Sequence, residues 1–230
     1  DAPESTANSL SFNMIPTNMI SYPAGYTPTQ VDNVYSMAFD GVNDYFNTSS
    51  TPSDFNLPAT TVTDSDFSVS FWYYFDANEN YDPIIQATVS ATNGFGIWQS
   101  STNTASLNFW VGHYGSGNIF STQLTSGTWY HIACIFQGGS THTLKIYVDG
   151  VENSTGSFTA SRVIHSGENC LIGGQTIQNR YFYGNLDEFA IFDYALTPKQ
   201  IKEDIYNASK EVGGVKKTAD LNNNSNLTAP

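Results

Sequence analysis

Apolar and polar positions divide the 230-residue chain into three stretches. Residues 1–34 hold neither a period of 2 nor one of 3.6, because Pro3, Pro16, Pro23 and Pro28 interrupt every apolar run. They predict an extended arm lying on the domain or on a neighbour. From about residue 35 to 194 the pattern becomes short apolar runs between turn residues. Tyr35 to Phe39 ends in the turn dipeptide Asp40-Gly41. Phe67 to Phe75 alternates at its start and then turns aromatic on both faces. Such a run predicts a central strand in a sheet covered on both sides. Trp72 and Tyr74 share one of its faces, and Val69, Phe71, Tyr73 and Phe75 the other. One set must face an inter-sheet core; the other lines a concave surface or lies beneath a covering arm.

Further strands are expected at Pro83–Val89, Gly94–Gln99, Ala105–Val111, Asn118–Gln123, Trp129–Phe136, Thr143–Val148, Gly156–Ala160, Cys170–Gly173 and Leu186–Phe192. Between them sit Asn93-Gly94, Gly115-Ser116-Gly117, Ser126-Gly127, Gly138-Gly139 and Asp149-Gly150. Regular short strands punctuated in this way predict an all-β, antiparallel sandwich or barrel. One short helix follows. Thr197-Pro198-Lys199-Gln200 combines an N-cap Thr, Pro at the first helical position and Gln three residues after the cap. Ile201, Ile205 and Tyr206 supply its apolar face, and it is expected to end between Ser209 and Gly213. Residues 213–230 are Asn-rich and polar, as in a linker or tail. The domain proper is therefore residues 35–212.

Composition narrows the choice of partners. Lys and Arg number 8 against 21 Asp and Glu, a formal charge of −13. That sign repels phosphate backbones and anionic lipid surfaces, so nucleic acid and membrane are not expected partners. Only 13% of residues are charged while 14% are aromatic, so the polar surface must be built from Ser, Thr, Asn and Gly. This surface suits a secreted or particle-surface β-protein. The 40% hydrophobic content is enough to supply a core. Cys134 and Cys170 both fall on expected strands, either as one disulfide or as two buried thiols. Without a C-x-x-C pair they do not form a thiolate zinc site. Asn47, Asn153, Asn207, Asn223 and Asn226 head glycosylation sequons, which matter only in a host that glycosylates.

Six segments then occur in a telling order: Met37–Tyr45 (MAFDGVNDY), Phe67–Trp72 (FSVSFW), Trp129–Ala133 (WYHIA), Leu144–Gly150 (LKIYVDG), Leu171–Gly174 (LIGG) and Tyr183–Phe192 (YGNLDEFAIF). The last runs into Tyr194–Thr197 and the helix. Over about residues 35–210 the chain resembles laminin-G-like jelly-roll domains of the concanavalin A-like lectin/glucanase superfamily. The resemblance implies two stacked antiparallel sheets, one curved and concave. It also implies a non-catalytic recognition module, often for glycans, in secreted proteins, adhesins or viral particles. Fold alone does not fix which of these applies.

Three chemistries can be weighed on this frame. Glucanases of the superfamily carry a Glu-x-Asp-x-x-Glu strand, and glycoside hydrolysis needs two carboxylates roughly 5–10 Å apart. Here Asp187 and Glu188 are adjacent, and on a regular strand they point to opposite faces. Asn185 and Ala190 stand where further acids would be needed, so no enzyme activity is expected. The four histidines, His113, His131, His142 and His165, show no ligand spacing, and His131 is expected to be partly buried beside Trp129. For metal, Asp40, Asn43 and Asp44 offer oxygen ligands in one turn, and Asp187 with Glu188 offers more late in the chain. The resemblance makes a structural Ca²⁺ a candidate where early and late strands meet. The competing reading is Asx-turn hydrogen bonding for Asp40 and Asn43 and a strand carboxylate for Asp187. The acidic loop 76–82 lacks the EF-hand glycine. For ligand binding, rings stack on sugar C–H faces while polar side chains fix orientation. Trp72, Tyr74, Trp98, Trp110, Tyr114 and Tyr181 are the candidate rings, with Arg180, Asn78, Asn80 and His113 as suppliers of hydrogen bonds at the rim.

The expected function is a non-catalytic recognition or adhesion module, extracellular or on a virion surface, binding a glycan or a protein. The alternative is a structural or decoration protein of a virion or other assembly, with the terminal arms docking on neighbouring capsid or self-assembly partners.

Overall fold

The computed structural model describes residues 36–48, 61–62, 66–76, 81–90, 93–100, 105–112, 117–159, 162–163, 169–175, 178–207 and 209. The expected arms at 1–34 and 213–230 lie outside the described residues, as do Asn78, Asn80, His113, Tyr114 and His165.

Two six-stranded antiparallel sheets form the sandwich. The first runs, in spatial order, β1 (Met37–Asp40), β16 (Tyr183–Phe192), β4 (Phe67–Phe75), β9 (Tyr130–Gln137), β10 (His142–Val148) and β11 (Val151–Phe158). The second runs β2 (Phe46–Asn47), β13 (Leu171–Ile172), β5 (Pro83–Ser90), β6 (Asn93–Gln99), β7 (Leu107–Val111) and β8 (Asn118–Phe120). Two short ribbons are added, β3 (Thr61–Val62) with β12 (Arg162–Val163), and β14 (Gly174–Gln175) with β15 (Arg180–Tyr181). This is the jelly-roll sandwich that the pattern predicts.

The period-2 geometry sorts the side chains of each strand onto two faces. On β4, Val69, Phe71, Tyr73 and Phe75 point between the sheets and are fully buried. They meet Ile132, Cys134 and Phe136 of β9, Phe95 and Ile97 of β6, and Leu107 and Phe109 of β7. Phe67 spans the layers, its ring 5.0 Å from Phe95 and 5.4 Å from Phe136. All nine β4 residues are buried, as expected of an interior strand covered on both sides. Cys134 and Cys170 are free thiols in this core, which selects the second of the two readings.

A second, smaller apolar cluster lies on the outer side of the first sheet. Ala133, Ile135, Tyr147 and Phe192 pack there against Leu196 and Ile201. Ile201 belongs to the helix Gln200–Asn207, whose start is capped as the pattern predicts. Thr197 N donates to Gln200 Oε1 (2.9 Å), and Gln200 N donates to Thr197 Oγ1 (3.3 Å). The helix winds as a π-helix rather than the expected α-helix. An i+5 repeat puts Tyr206 on the same side as Ile201, so its ring reaches the sheet.

Asp149-Gly150 joins β10 to β11 with φ of +51° and +77°. Both central residues are left-handed, as a type I′ hairpin turn requires. The pattern missed the first half of β11, because Val151 to Thr155 form an exposed or half-buried edge strand with no apolar alternation. Among the described residues, no helix is long and apolar enough to cross a membrane.

Candidate functional site

The structure distributes the expected ligand residues over three places. Trp72 and Tyr74 lie on the outer face of the first sheet, and neither is an open platform. Trp72 is paired across the strands with Asp187 and His131. Its indole packs against His131 (5.5 Å) and Tyr206 (5.8 Å). Its Nε1–H donates to Ser209 Oγ at 2.8 Å. The helix is thus the covering element. Tyr74 is closed by Trp129, ring to ring at 5.5 Å. Burial and the neighbouring Asp76 carboxylate push the Tyr74 phenol upward. His131 is fully rather than partly buried, packed against Trp72 and Tyr206, with Nε2 2.9 Å from Ser70 Oγ. His142 is also buried, between Phe136 and Phe158.

Trp98 and Trp110 lie on the outer face of the second sheet. They meet edge to face at 6.0 Å, above Gly96. A Cβ at Gly96 would stand 2.6 Å from Trp110 Nε1 and 2.9 Å from Trp98 Nε1, so only glycine admits both rings. Trp110 is 0% exposed and Trp98 7%. The β12 strand packs against β6 on this sheet. Gln86 and Asn108, on the same face, are buried polar residues. These indoles are therefore wall rather than platform.

The third place is one end of the sandwich, where the turn after β1, the start of β5 and the β14–β15 ribbon converge. Backbone bonds hold it: Gly41 N donates to Phe182 O (3.0 Å), Phe182 N to Gly173 O (2.8 Å) and Gly173 N to Ile84 O (3.0 Å). Gly173, at φ +77°, lies against the Phe39 ring so closely that a Cβ would overlap it. Each side of the ribbon carries rings. On one side, Tyr181 faces Tyr45 at 6.3 Å, and Tyr45 is 44% exposed. On the other, the Arg180 guanidinium sits over the Tyr81 ring, 4.9 Å from its centroid. Gln175 pairs directly across from Arg180 and so shares that side. Gln175 is 8% exposed and its Oε1 has no hydrogen-bond partner among the described residues. Tyr81 and Gln175 were not apparent from the sequence. The signal that could have found them was a hairpin between Gly173-Gly174-Gln175 and Asn179-Arg180-Tyr181, too short to register as strands.

The four expected metal ligands do not converge. Asp40 Oδ1 accepts from Val42 N (2.8 Å) and Asn43 N (3.3 Å), and Asp44 Oδ2 accepts from Asp40 N (3.1 Å). These amides, Val42 first, hold the Asp40 carboxyl below its usual range, whereas burial raises that of Asp44. Asp40 pairs with Tyr183, and Asp187 lies four residues further along β16. At strand rise that is about 13 Å away. Asp187 Oδ1 instead accepts from Glu188 N at 2.7 Å. Among the described residues no three His, Cys, Asp or Glu side chains form a metal cluster. The set does not fit a Ca²⁺ ion, which needs six to eight oxygens.

The strand around Asp187 also departs from the simple alternation. Leu186 and Phe189 both pack into the core, and the register with β4 shifts between Asp187 and Ala190. This bulge, with Glu188 at φ +48°, leaves Asp187 and Glu188 both on the outer side rather than on opposite faces.

A family model described as the Concanavalin A-like lectin/glucanases superfamily, of laminin G type, matches residues 40–202. The chain belongs to this superfamily. Among solved structures, this lectin-like sandwich is similar to the CBM40 domain of the Ruminococcus gnavus IT-sialidase, bound there to α2,3-sialyllactose. The TM-score is 0.55 and the identity 13%, covering 73% of this chain and 94% of that one. It is also similar to the native heptameric SAP-like pentraxin of Limulus polyphemus, with TM-score 0.50 and 18% identity over 73% of this chain and 79% of that one. At these identities the likeness establishes the fold. No curated protein matches the sequence significantly.

Proposed function

We propose that the chain is a non-catalytic recognition module that binds glycans at the end of the sandwich carrying the β14–β15 ribbon. The observation that carries this reading is Arg180 standing over Tyr81 beside the buried amide of Gln175. Rings, a planar cation and an amide are the groups that grip a sugar's C–H faces and hydroxyls. Superfamily membership supports a binding role, as does the sugar-bound CBM40 domain. The Asp187–Glu188 pair is a poor hydrolytic centre: one Asp187 oxygen is occupied by the Glu188 amide, and the neighbouring Trp72 face is closed by the helix. A low-charge surface rich in Ser, Thr and Asn is consistent with display outside a cell or on a particle. A structural role in an assembly draws its support from the arms, which lie outside the described residues.

The test is a glycan array of neutral and acidic oligosaccharides probed with the full chain. Saturable binding that falls in Tyr81→Ala, with the fold intact by circular dichroism, is expected. Absence of binding to every sugar would overturn the reading.

A further inference from the structure

The ribbon site has a chemical bias that its rings alone do not explain. The chain carries a net charge of −13, so a stray cation ordinarily finds a carboxylate. Lys145 does, 2.9 Å from Glu152, and Lys199 faces Glu203 at 3.9 Å. Arg180 has no carboxylate partner among the described residues. Its contact is the Tyr81 ring. A ring answers the positive charge but accepts none of the five guanidinium N–H groups in the geometry that a carboxylate does. The donor fork is left for another acceptor, and a planar carboxylate is the acceptor that fits it with two parallel bonds.

Gln175 completes the pattern. It stands directly opposite Arg180 in the ladder, where cross-strand side chains lie about 5 Å apart at Cβ. It is more than nine-tenths buried, and its Oε1 lacks a partner among the described residues. Leaving a buried amide oxygen unsatisfied is costly, and a ligand hydroxyl next to the guanidinium would relieve it. A donor fork, an adjacent acceptor and an aromatic wall within one ribbon match a sugar bearing both a carboxylate and hydroxyl groups. Neutral sugars supply only the hydroxyls.

We infer that the Arg180–Gln175–Tyr81 side of the ribbon selects carboxylate-bearing sugars, with Arg180 holding the carboxylate and Gln175 Oε1 accepting from a neighbouring hydroxyl. The inference rests on the glycan-binding reading above and sharpens it to an acidic class. The backbone supports the geometry: the ribbon is tied to β5 through Gly173 and to the turn after β1 through Phe182, so the pair is presented on a fastened element.

The test titrates the full chain with α2,3-sialyllactose, its carboxyl-reduced counterpart and lactose, and screens a wider set of neutral and uronic-acid oligosaccharides. The acidic trisaccharide, or a uronic-acid sugar in its place, should bind at least about tenfold more tightly than its carboxyl-reduced form. That preference should weaken as salt is raised. Arg180→Gln should abolish the preference, and Arg180→Lys should retain part of it. Gln175→Glu places a carboxylate opposite Arg180 and should remove acidic-sugar binding while sparing the fold. Equal binding of acidic and carboxyl-reduced sugars, unchanged in Arg180→Gln, would overturn the acidic preference and leave the glycan-binding reading standing. Failure of every sugar, neutral and acidic, would overturn both.

Discussion

On the outer face of the first sheet, Trp72, His131 and Tyr206 form a ring cluster sealed by the helix, and Trp72 gives its indole proton to Ser209. At the ribbon, Tyr81, Arg180 and Tyr181 are partly open, and the Gln175 oxygen has no partner among the described residues. Both regions are aromatic and both hold buried polar atoms. What separates them is access: the Trp72 face is buried beneath the helix, whereas the ribbon presents half-exposed rings and a guanidinium beside a buried amide. Where the helix covers the rings, they serve cohesion. Where the surface is open, the same residue types are available to a ligand. Ring content alone therefore says little about recognition, and Trp72 shows how the largest ring on a strand can belong entirely to packing.

The sharpest way to break this contrast is Trp72→Ala. It removes a buried indole from beneath the helix, and about 3–5 kcal/mol of stability should be lost in urea unfolding. Sugar affinity of the remaining folded protein should be unchanged. Gly173→Ala tests the other region. A methyl at φ +77° against Phe39 overpacks the junction and should cost about 1–3 kcal/mol. Because the same residue ties the ribbon to Ile84, sugar affinity should fall with it. A loss of stability with affinity intact would separate the ribbon from recognition.

Smaller changes sharpen the closed face. Thr197→Ala removes the hydroxyl that accepts from Gln200 N while the Thr197 backbone bond to Gln200 Oε1 can remain, and should cost about 1 kcal/mol, read as a lower thermal midpoint, with no change in binding. The smallest effect concerns pH. Burial raises the Tyr147 phenol, part of the helix-side cluster, to about 12 from an ordinary 10. The fold therefore favours the neutral phenol. Its contribution is complete below pH 10 and is lost as the pH rises towards 12. Glu152, held down chiefly by its hydrogen bond from Lys145, acts oppositely. Its contribution is present above about pH 4.5 and is lost as the pH falls through the depressed value. Burial also raises the phenols of Tyr73, Tyr74 and Tyr194, so alkaline titration should show several late phenolates, and a Tyr147→Phe variant should lose the one near 12 that is coupled to loosening of the helix.

How much of this was legible in the sequence follows from the range of the interactions. The β4 strand could be read from its sequence, because an apolar run on both faces marks an interior strand covered on both sides, and all nine of its residues are buried. The helix start was equally plain, since Thr197 and Gln200 satisfy each other locally. Which face of β4 met the core was not decided by the strand itself, because both faces are apolar; the second sheet and the helix decide it. Trp98 and Trp110 read as platforms because nothing nearby in sequence reveals that they close over Gly96. Asp187 was drawn towards the early turn by chemistry, but strand register keeps the two apart. The ribbon escaped notice for the same reason in reverse. Gln175 and Arg180 gain meaning from a two-residue pairing and from Tyr81, which precedes them by 94 and 99 positions.

The most direct test of the contrast is one nitrogen–proton NMR titration of the full chain with an acidic oligosaccharide. The chain has 4 Trp residues, so each indole N–H can be followed together with the Arg180 Nε–H. The account predicts that the Arg180 signal moves and saturates with ligand while the indole signals of Trp72, Trp98 and Trp110 stay in place. Shifts of the Trp98 and Trp110 indoles with Arg180 unmoved would place recognition on the outer face of the second sheet and contradict it.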